Sequence, residues 1–133
     1  MLKMVQLVAR IILGLIYFAF GGMGVLIVLN IIHPTFPPMT PAADAFFKGM
    51  MGSGYFFPLL KFTETTCGLL LLIGYAAPLA LVVLAPITLN IILFHSFLTP
   101  GAGNLPLPLA MVVLQIIAMT GYFKYYRPLF SRG

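Results

Sequence analysis

Apolar residues run through this chain in long blocks, and polar residues gather at the joints between them. Four blocks stand out, over about 5–32, 55–75, 78–98 and 106–126, each near the roughly 20 residues that cross about 30 Å of hydrocarbon. The first, with the core "LVARIILGLIYFAFGGMGVLIVLNII", is too long for a signal-peptide apolar region and no A-x-A site follows it, so it reads as a retained span. Pro58, Pro78, Pro106 and Pro108 stand at span starts, where a missing N–H costs nothing. Pro86 falls inside the third block. It is expected either to kink that helix, freeing the carbonyl of Val82, or to be tolerated as prolines in membrane helices often are.

The joints differ in kind. "GYAAP" between the second and third blocks is a tight turn that forces an antiparallel pair, and "TPGAGNLP" between the third and fourth is a short Gly/Pro loop. The long joint, 33–54, begins as a proline-rich extended piece. From Thr40, an N-cap with Pro41 at the first helical position, it becomes an amphipathic helix over about 41–51, with Phe46, Phe47, Met50 and Met51 on its apolar face. Such a helix either lies at the membrane interface or folds back as a lid. The predicted architecture is all-α: one integral membrane domain over 1–133, an antiparallel four-helix bundle with a short amphipathic helix in its first extramembrane loop.

Composition agrees. Of the residues, 62% are hydrophobic and 7% charged, where soluble domains carry about a quarter charged. With a mean hydropathy of +1.12, lipid must be the solvent for most of the surface. The net charge of +5 includes no basic run suited to a nucleic acid. The single Cys67 excludes an intrachain disulfide, a CxxC pair and a Cys-based zinc site. With two histidines and two acids, a metal cage of three or four protein ligands would need nearly all of them at one point, which argues against one. Five of the seven cations (Lys3, Arg10, Lys124, Arg127 and Arg132) sit towards the two ends of the chain, so the positive-inside rule places both ends in the cytoplasm. Tyr122, Tyr125 and Tyr126 then form an interfacial aromatic belt.

Against this background the polar residues inside the spans carry the candidate chemistry. At 1.5 Å per residue, Glu64 lies roughly 10–13 Å below the outer interface, Lys61 roughly 6–9 Å, Asn90 about 12 Å and His95 about 5 Å. Lys61 and Glu64, three residues apart, share a helix face. Two readings stay open for them. One is a self-neutralising pair with Lys61 snorkelling to the head groups. The other is an outward-opening polar pocket with Glu64 at its base, Lys61 on its rim and Asn90 or His95 as a partner from the next span. Asn90 and His95 are about 140° apart around their helix, so they cannot both face one point squarely. Arg10 shares a face with Gly14, Tyr17 and Gly21, where glycines admit a close helix. It either snorkels to the inner head groups or points towards Gln115 or Thr120. Cys67 and the methionines read as packing.

Two stretches, "ARIILGLIYFAFGGMG" and "GYFFPLLKFTETTCGLLLLIGYAAPLALVVLAPITLNIILFH", together with the long proline-rich joint, resemble the DoxX family of small four-span bacterial membrane proteins. The family's motif residues map onto Arg10, Gly14, Gly21, Glu64, Gly68, Gly74, Asn90 and His95. Family members often carry a lysine just after the span-one glycines, where this chain has "GGMGVL". Either Lys61 substitutes for it or the role is absent. The resemblance implies the bacterial cytoplasmic (inner) membrane and a redox-associated subunit. Such a subunit would bind an isoprenoid quinone or lipid head group through Glu64, His95, Asn90, Lys61 and Arg10, beside a redox protein partner or as a homo-oligomer. The alternative is a non-catalytic scaffold or partner-binding module, and a small proton-coupled transporter ranks third. The chain holds no self-sufficient catalytic motif: no CxxC, nucleotide loop or haem-attachment sequence.

Overall fold

The computed structural model describes residues 2–35, 38–99, 103 and 105–131, and among these no strand occurs. Arg132, counted above among the cations, and most of the loop "TPGAGNLP" lie outside the described residues. The helices are α1 (Leu2–Val28), α2 (Pro41–Gly52), α3 (Phe56–Ile73), α4 (Ala77–Leu93), α5 (Pro106–Thr120) and α6 (Phe123–Tyr126). α4 runs on through a π-helical turn, Phe94–Leu98, and α6 into a 3₁₀ turn, Arg127–Phe130. Among the described residues three helices are long and apolar enough to cross a membrane: α1, α3 and α4 with its π turn. α5 reaches that length only together with the segment after it, from which it bends by 78°.

The fourth span expected over about 106–126 is thus bent just after Thr120. The N–H groups of Gly121 and Tyr122 bond the carbonyls of Ala118 and Met119, three residues back, and the Thr120 hydroxyl takes the carbonyl of Ile117. These short-range bonds tighten and close the last turn. Beyond it Tyr126 tucks inward and donates to the carbonyl of Pro78 at 2.7 Å. Tyr126 is therefore buried and Tyr122 is bound to Arg10, while Tyr125 stays exposed, so the three tyrosines do not form one belt. α1 also stops earlier than expected. Asn30 adopts a left-handed conformation (φ 60°), which its short carboxamide tolerates, and the following N–H groups turn back to Leu26.

The turn between α3 and α4 depends on two left-handed residues. Gly74 (φ 77°) ends α3 by donating to Leu70, a conformation that suits a residue without a Cβ. Ala76 (φ 52°) sits in the same region at a cost of about 1–2 kcal/mol. The chain then reverses into α4, whose first turn holds Pro78.

α1 runs antiparallel to α3, and glycines set the distance between them. A Cβ on Gly14 would stand 3.0 Å from the carbonyl oxygen of Gly68, and one on Gly21 would stand 2.6 Å from the backbone nitrogen of Thr65. Gly24 faces Lys61, and the Arg10 guanidinium lies beside Gly74. α1 also packs on α5, and α4 packs on both α3 and α5. Bonds from Gln6 to Thr120 and from Arg10 to Tyr122, both 3.0 Å, place the start of α1 beside the end of α5. The innermost side chains are Leu13, Tyr17, Leu71, Leu81 and Leu84. Outside this core, large apolar side chains such as Leu15, Leu59, Leu79 and Ile116 are exposed along every long helix. A surface of that kind fits lipid rather than water.

α2 folds back onto the far end of the molecule. Thr40 caps it by accepting from the Ala43 N–H at 3.2 Å, and its hydroxyl donates to the carbonyl of Leu98 in the π turn. Phe46 and Phe47 set their rings edge-on to Phe94 at 5.5 and 5.7 Å. On the exposed face Asp44 and Lys48 pair at 2.9 Å, which raises the Lys48 pKa through the hydrogen bond and charge of Asp44.

The α1–α3 spacing generates a test. A Cβ on Gly68 would stand 2.5 Å from the backbone nitrogen of Phe18, whereas one on Gly22 meets nothing within 4 Å. Gly68→Ala should lower stability by about 1–3 kcal/mol through overpacking. Gly22→Ala should be neutral or slightly stabilising. Thermal unfolding in detergent, followed by circular dichroism, compares them. Equal melting of the two variants would refute the close approach.

Candidate functional site

The residue series "LLKFTETTCG" folds as the middle of α3, so its polar side chains take helical positions. Lys61 and Glu64 fall three apart on the face that meets α1. The Lys61 ammonium donates to Glu64 Oε2 at 3.1 Å, and the pair is nearly closed to the surroundings, with side-chain exposures of 19% and 5%. Room for it comes from α1. The methylene stem of Lys61 lies over Gly24, where a Cβ would collide with it, and the Cβ of Glu64 lies against Gly21. The Phe57 ring stands 5.5 Å from the Lys61 ammonium and gives the cation a further favourable contact. Thr65, beside them, turns its hydroxyl back to the carbonyl of Lys61 at 2.7 Å.

The structure does not bring the other candidates to this pair. Asn90 is exposed on the outer face of α4, and no hydrogen bond joins it to Glu64. His95 sits in the π turn, where its Nδ1 is engaged by the carbonyl of Ile91 at 2.8 Å and its ring stands edge-on to Phe94. The expectation that span three supplies Glu64 with Asn90 or His95 is therefore corrected: the partner is Lys61 on the same helix. Arg10 lies at the other end of α1. It donates to the hydroxyl of Tyr122 rather than reaching Gln115 or Thr120, and its Nε is buried without a partner among the described residues.

A second polar set lies between α1, α4 and α5. Thr88 donates to Gln115 Oε1 at 3.0 Å, so its single hydroxyl proton is used, and the 2.5 Å contact with Tyr17 must be donated by the tyrosine. The Gln115 amide then donates to the carbonyl of Leu81 at 2.8 Å and to Met119 Sδ. All three side chains are buried. Tyr17 and Gln115 were legible as polar residues within spans. Their junction, Thr88, carries no charge and escapes a search for ionisable groups; a count of every hydroxyl and carboxamide inside the spans would have found it.

Two surface grooves lie near these elements. One, of about 390 Å³, is walled by Phe46, Gly49 and Met50 of α2 and by Phe56 of α3, with Ser53 and Tyr55 between them. The other, of about 160 Å³, is lined by Phe56, Leu59, Leu60 and Thr63 with Ile87 of α4. Neither is lined by Glu64, Lys61, Asn90 or His95, so the expected pocket with Glu64 at its base is not one of them. Among the described residues no three His, Cys, Asp or Glu side chains group together. The chain matches no family model, no curated protein and no solved structure.

Two tests follow from these contacts. Lys61→Met leaves an uncompensated buried carboxylate and should cost about 3–5 kcal/mol. The double variant Lys61→Met/Glu64→Leu removes both charges and should recover much of that loss in detergent melting. A double variant as unstable as the single one would show that the pair is not acting as a unit. In the second set, Thr88→Val strands both the Tyr17 hydroxyl and Gln115 Oε1, whereas Tyr17→Phe removes only the terminal donor. Thr88→Val should therefore be the more destabilising in unfolding measurements, by about 1–3 kcal/mol. The reverse order would overturn the assigned bond direction.

Proposed function

We propose that this chain is a DoxX-like integral membrane protein of the bacterial cytoplasmic membrane, acting as a non-catalytic module that holds a partner. In this reading it is an antiparallel four-helix bundle, with the bent segment from α5 through α6 as the fourth crossing and α2 as a lid at the outer end. Lys3, Arg10, Lys124 and Arg127 lie towards the cytoplasmic end, as the positive-inside rule requires.

One observation carries the choice of module over redox subunit: the candidate polar groups do not converge on an open site. Glu64 is closed off by Lys61, His95 is engaged by its own helix, and Asn90 looks outward. A group that takes or gives protons must lie within hydrogen-bond reach of a substrate or one water. Glu64 at 4% exposure, covered by Lys61 and the glycine face of α1, does not offer that reach.

A second reading has its own support, at a different place. The groove between α2 and α3, about 390 Å³ and open to the surroundings, has apolar walls with Tyr55 at its edge, while the Ser53 hydroxyl is already bonded to the carbonyl of Met50 and the N–H of Phe56. A quinone or lipid head group would fit there without Glu64.

Purification from native membranes, with mass spectrometry of co-purifying lipids and proteins, separates the readings. The module reading expects a stoichiometric protein and no stoichiometric quinone. A quinone lost on Gly49→Leu, which fills the groove from a position with open space around it, would overturn it for the groove reading. A quinone lost on Glu64→Gln would return the site to the ion pair.

A further inference from the structure

α4 has one face buried in the core and one face open. Ala77, Ala80, Leu81, Leu84 and Thr88 form the buried face. Leu79, Val83, Pro86, Asn90, Leu93 and Phe97 are all exposed on the other. Their spacing is four, three, four, three, four. This is the alternation of the a and d positions of a heptad, the pattern by which two helices pack knobs into holes along a seam. The seam runs from Leu79 along the regular helix to Leu93, and Phe97 follows inside the π turn.

Five of the six seam residues are apolar and suit either lipid or another helix. Asn90 does not. It stands about 12 Å below the outer interface, its carboxamide carries two donors and an acceptor, and that side chain takes part in no hydrogen bond among the described residues. Lipid cannot supply those bonds. The contrast with Thr88, two residues earlier and fully satisfied within the core, shows that α4 can satisfy a polar group at this depth when it faces protein.

We infer that the exposed α4 face is a homodimer interface, in which the seam of one copy packs on the same seam of a second copy and Asn90 pairs with Asn90 across a two-fold axis along the membrane normal. The chemistry selects a second copy over another partner. A carboxamide is both donor and acceptor, so it complements itself. All copies insert with one topology, so their α4 helices meet in parallel, and a two-fold axis then sets each residue against its own counterpart. A single asparagine in an otherwise apolar seam is a known device for fixing register and oligomer state. Such polar pairs also favour helix association in lipid. The inference rests on the proposed reading of α4 as a membrane crossing.

Cysteine cross-linking in native membranes tests it. Asn90→Cys and Leu93→Cys are each treated with copper phenanthroline, which takes two electrons as the two thiols lose their protons and form a disulfide. Wild type, whose Cys67 is buried, is the blank. Val113→Cys, exposed on α5 near the level of Asn90, is the control. Both seam variants should give a band of twice the monomer mass, and Val113→Cys should not. No such band from either seam variant, a band equally strong from Val113→Cys, or a band at the mass of a different protein would each overturn the inference. As a second measurement, energy transfer between labelled copies in liposomes should report association about tenfold weaker for Asn90→Leu, roughly 1.4 kcal/mol, with Asn90→Gln close to wild type. Undiminished association of Asn90→Leu would overturn the role of Asn90. Membrane fractionation keeps the two failures apart. A protein that does not sediment with membranes refutes the crossing itself, whereas one that sediments but does not cross-link refutes only the interface.

Discussion

The close approach of α1 and α3 is the constraint on which the other contacts depend. Between helices in lipid the hydrophobic effect gives little, since lipid tails are as apolar as leucine, and association rests on van der Waals packing and hydrogen bonds. Packing strengthens as backbones come closer, and only glycine permits the distances found here. Gly14 and Gly68 bring the two backbones together, Gly21 receives the Cβ of Glu64, and Gly24 receives the stem of Lys61. Replacing Gly14 or Gly68 by a larger residue would drive a side chain into the facing backbone. The register of α1 against α3 is thus set by hard contact, and the ion pair lies where that register leaves room for it.

From this pair the rest of the assembly is pinned at three levels. In the middle, Tyr17 carries the position of α1 through Thr88 to Gln115, so one chain of hydrogen bonds ties α1, α4 and α5. At one end, Arg10 holds Tyr122 and Tyr126 holds the carbonyl of Pro78, which fixes the bent segment after α5 beneath the α3–α4 turn. At the other end, the π turn of α4 presents the Leu98 carbonyl to Thr40 and the Phe94 ring to Phe46 and Phe47, so α2 is held by backbone and aromatic contact together. A π turn shifts the direction of the residues that follow it, and such turns gather at functional sites. Here it accounts for the docking of α2.

How much of this was legible in the sequence follows from which quantity each feature depends on. Three of the four apolar helices, the reversal at Gly74 and the cap at Thr40 are local, and block lengths and turn residues revealed them. The pairing of Lys61 with Glu64 is also local, because a spacing of three fixes it. The end of α5 is not local. Its apolar run continues past Thr120, and what bends the chain is a set of short-range bonds together with the anchorage of Tyr126 on a residue 48 positions away. That Asn90 and His95 stand apart from Glu64 is hidden in the sequence for a different reason. The rise per residue gives only an expected position along the helix axis, which says nothing of direction around the helix. Direction was available from the α4 pattern: Ala80, Leu84 and Thr88 define the inner face, and Asn90 lies on the other.

The last question is why a buried ion pair should stand at the α1–α3 contact, where two apolar residues of similar volume would pack as well. A buried pair is a weak source of net stability, because desolvation of both charges offsets most of their attraction. Its consequence lies in what it forbids. An apolar Met–Leu combination tolerates rotation of α3, since lipid accepts either side chain. Lys61 and Glu64 do not tolerate it, because rotation would present a carboxylate to hydrocarbon at a cost of several kcal/mol. The glycines set how close the helices come and where along their length they meet, and the charges set which way α3 faces. That facing directs Cys67, Gly68 and Leu71 into the core. Distance is thus fixed by the absence of side chains on α1, and direction by the presence of charge on α3.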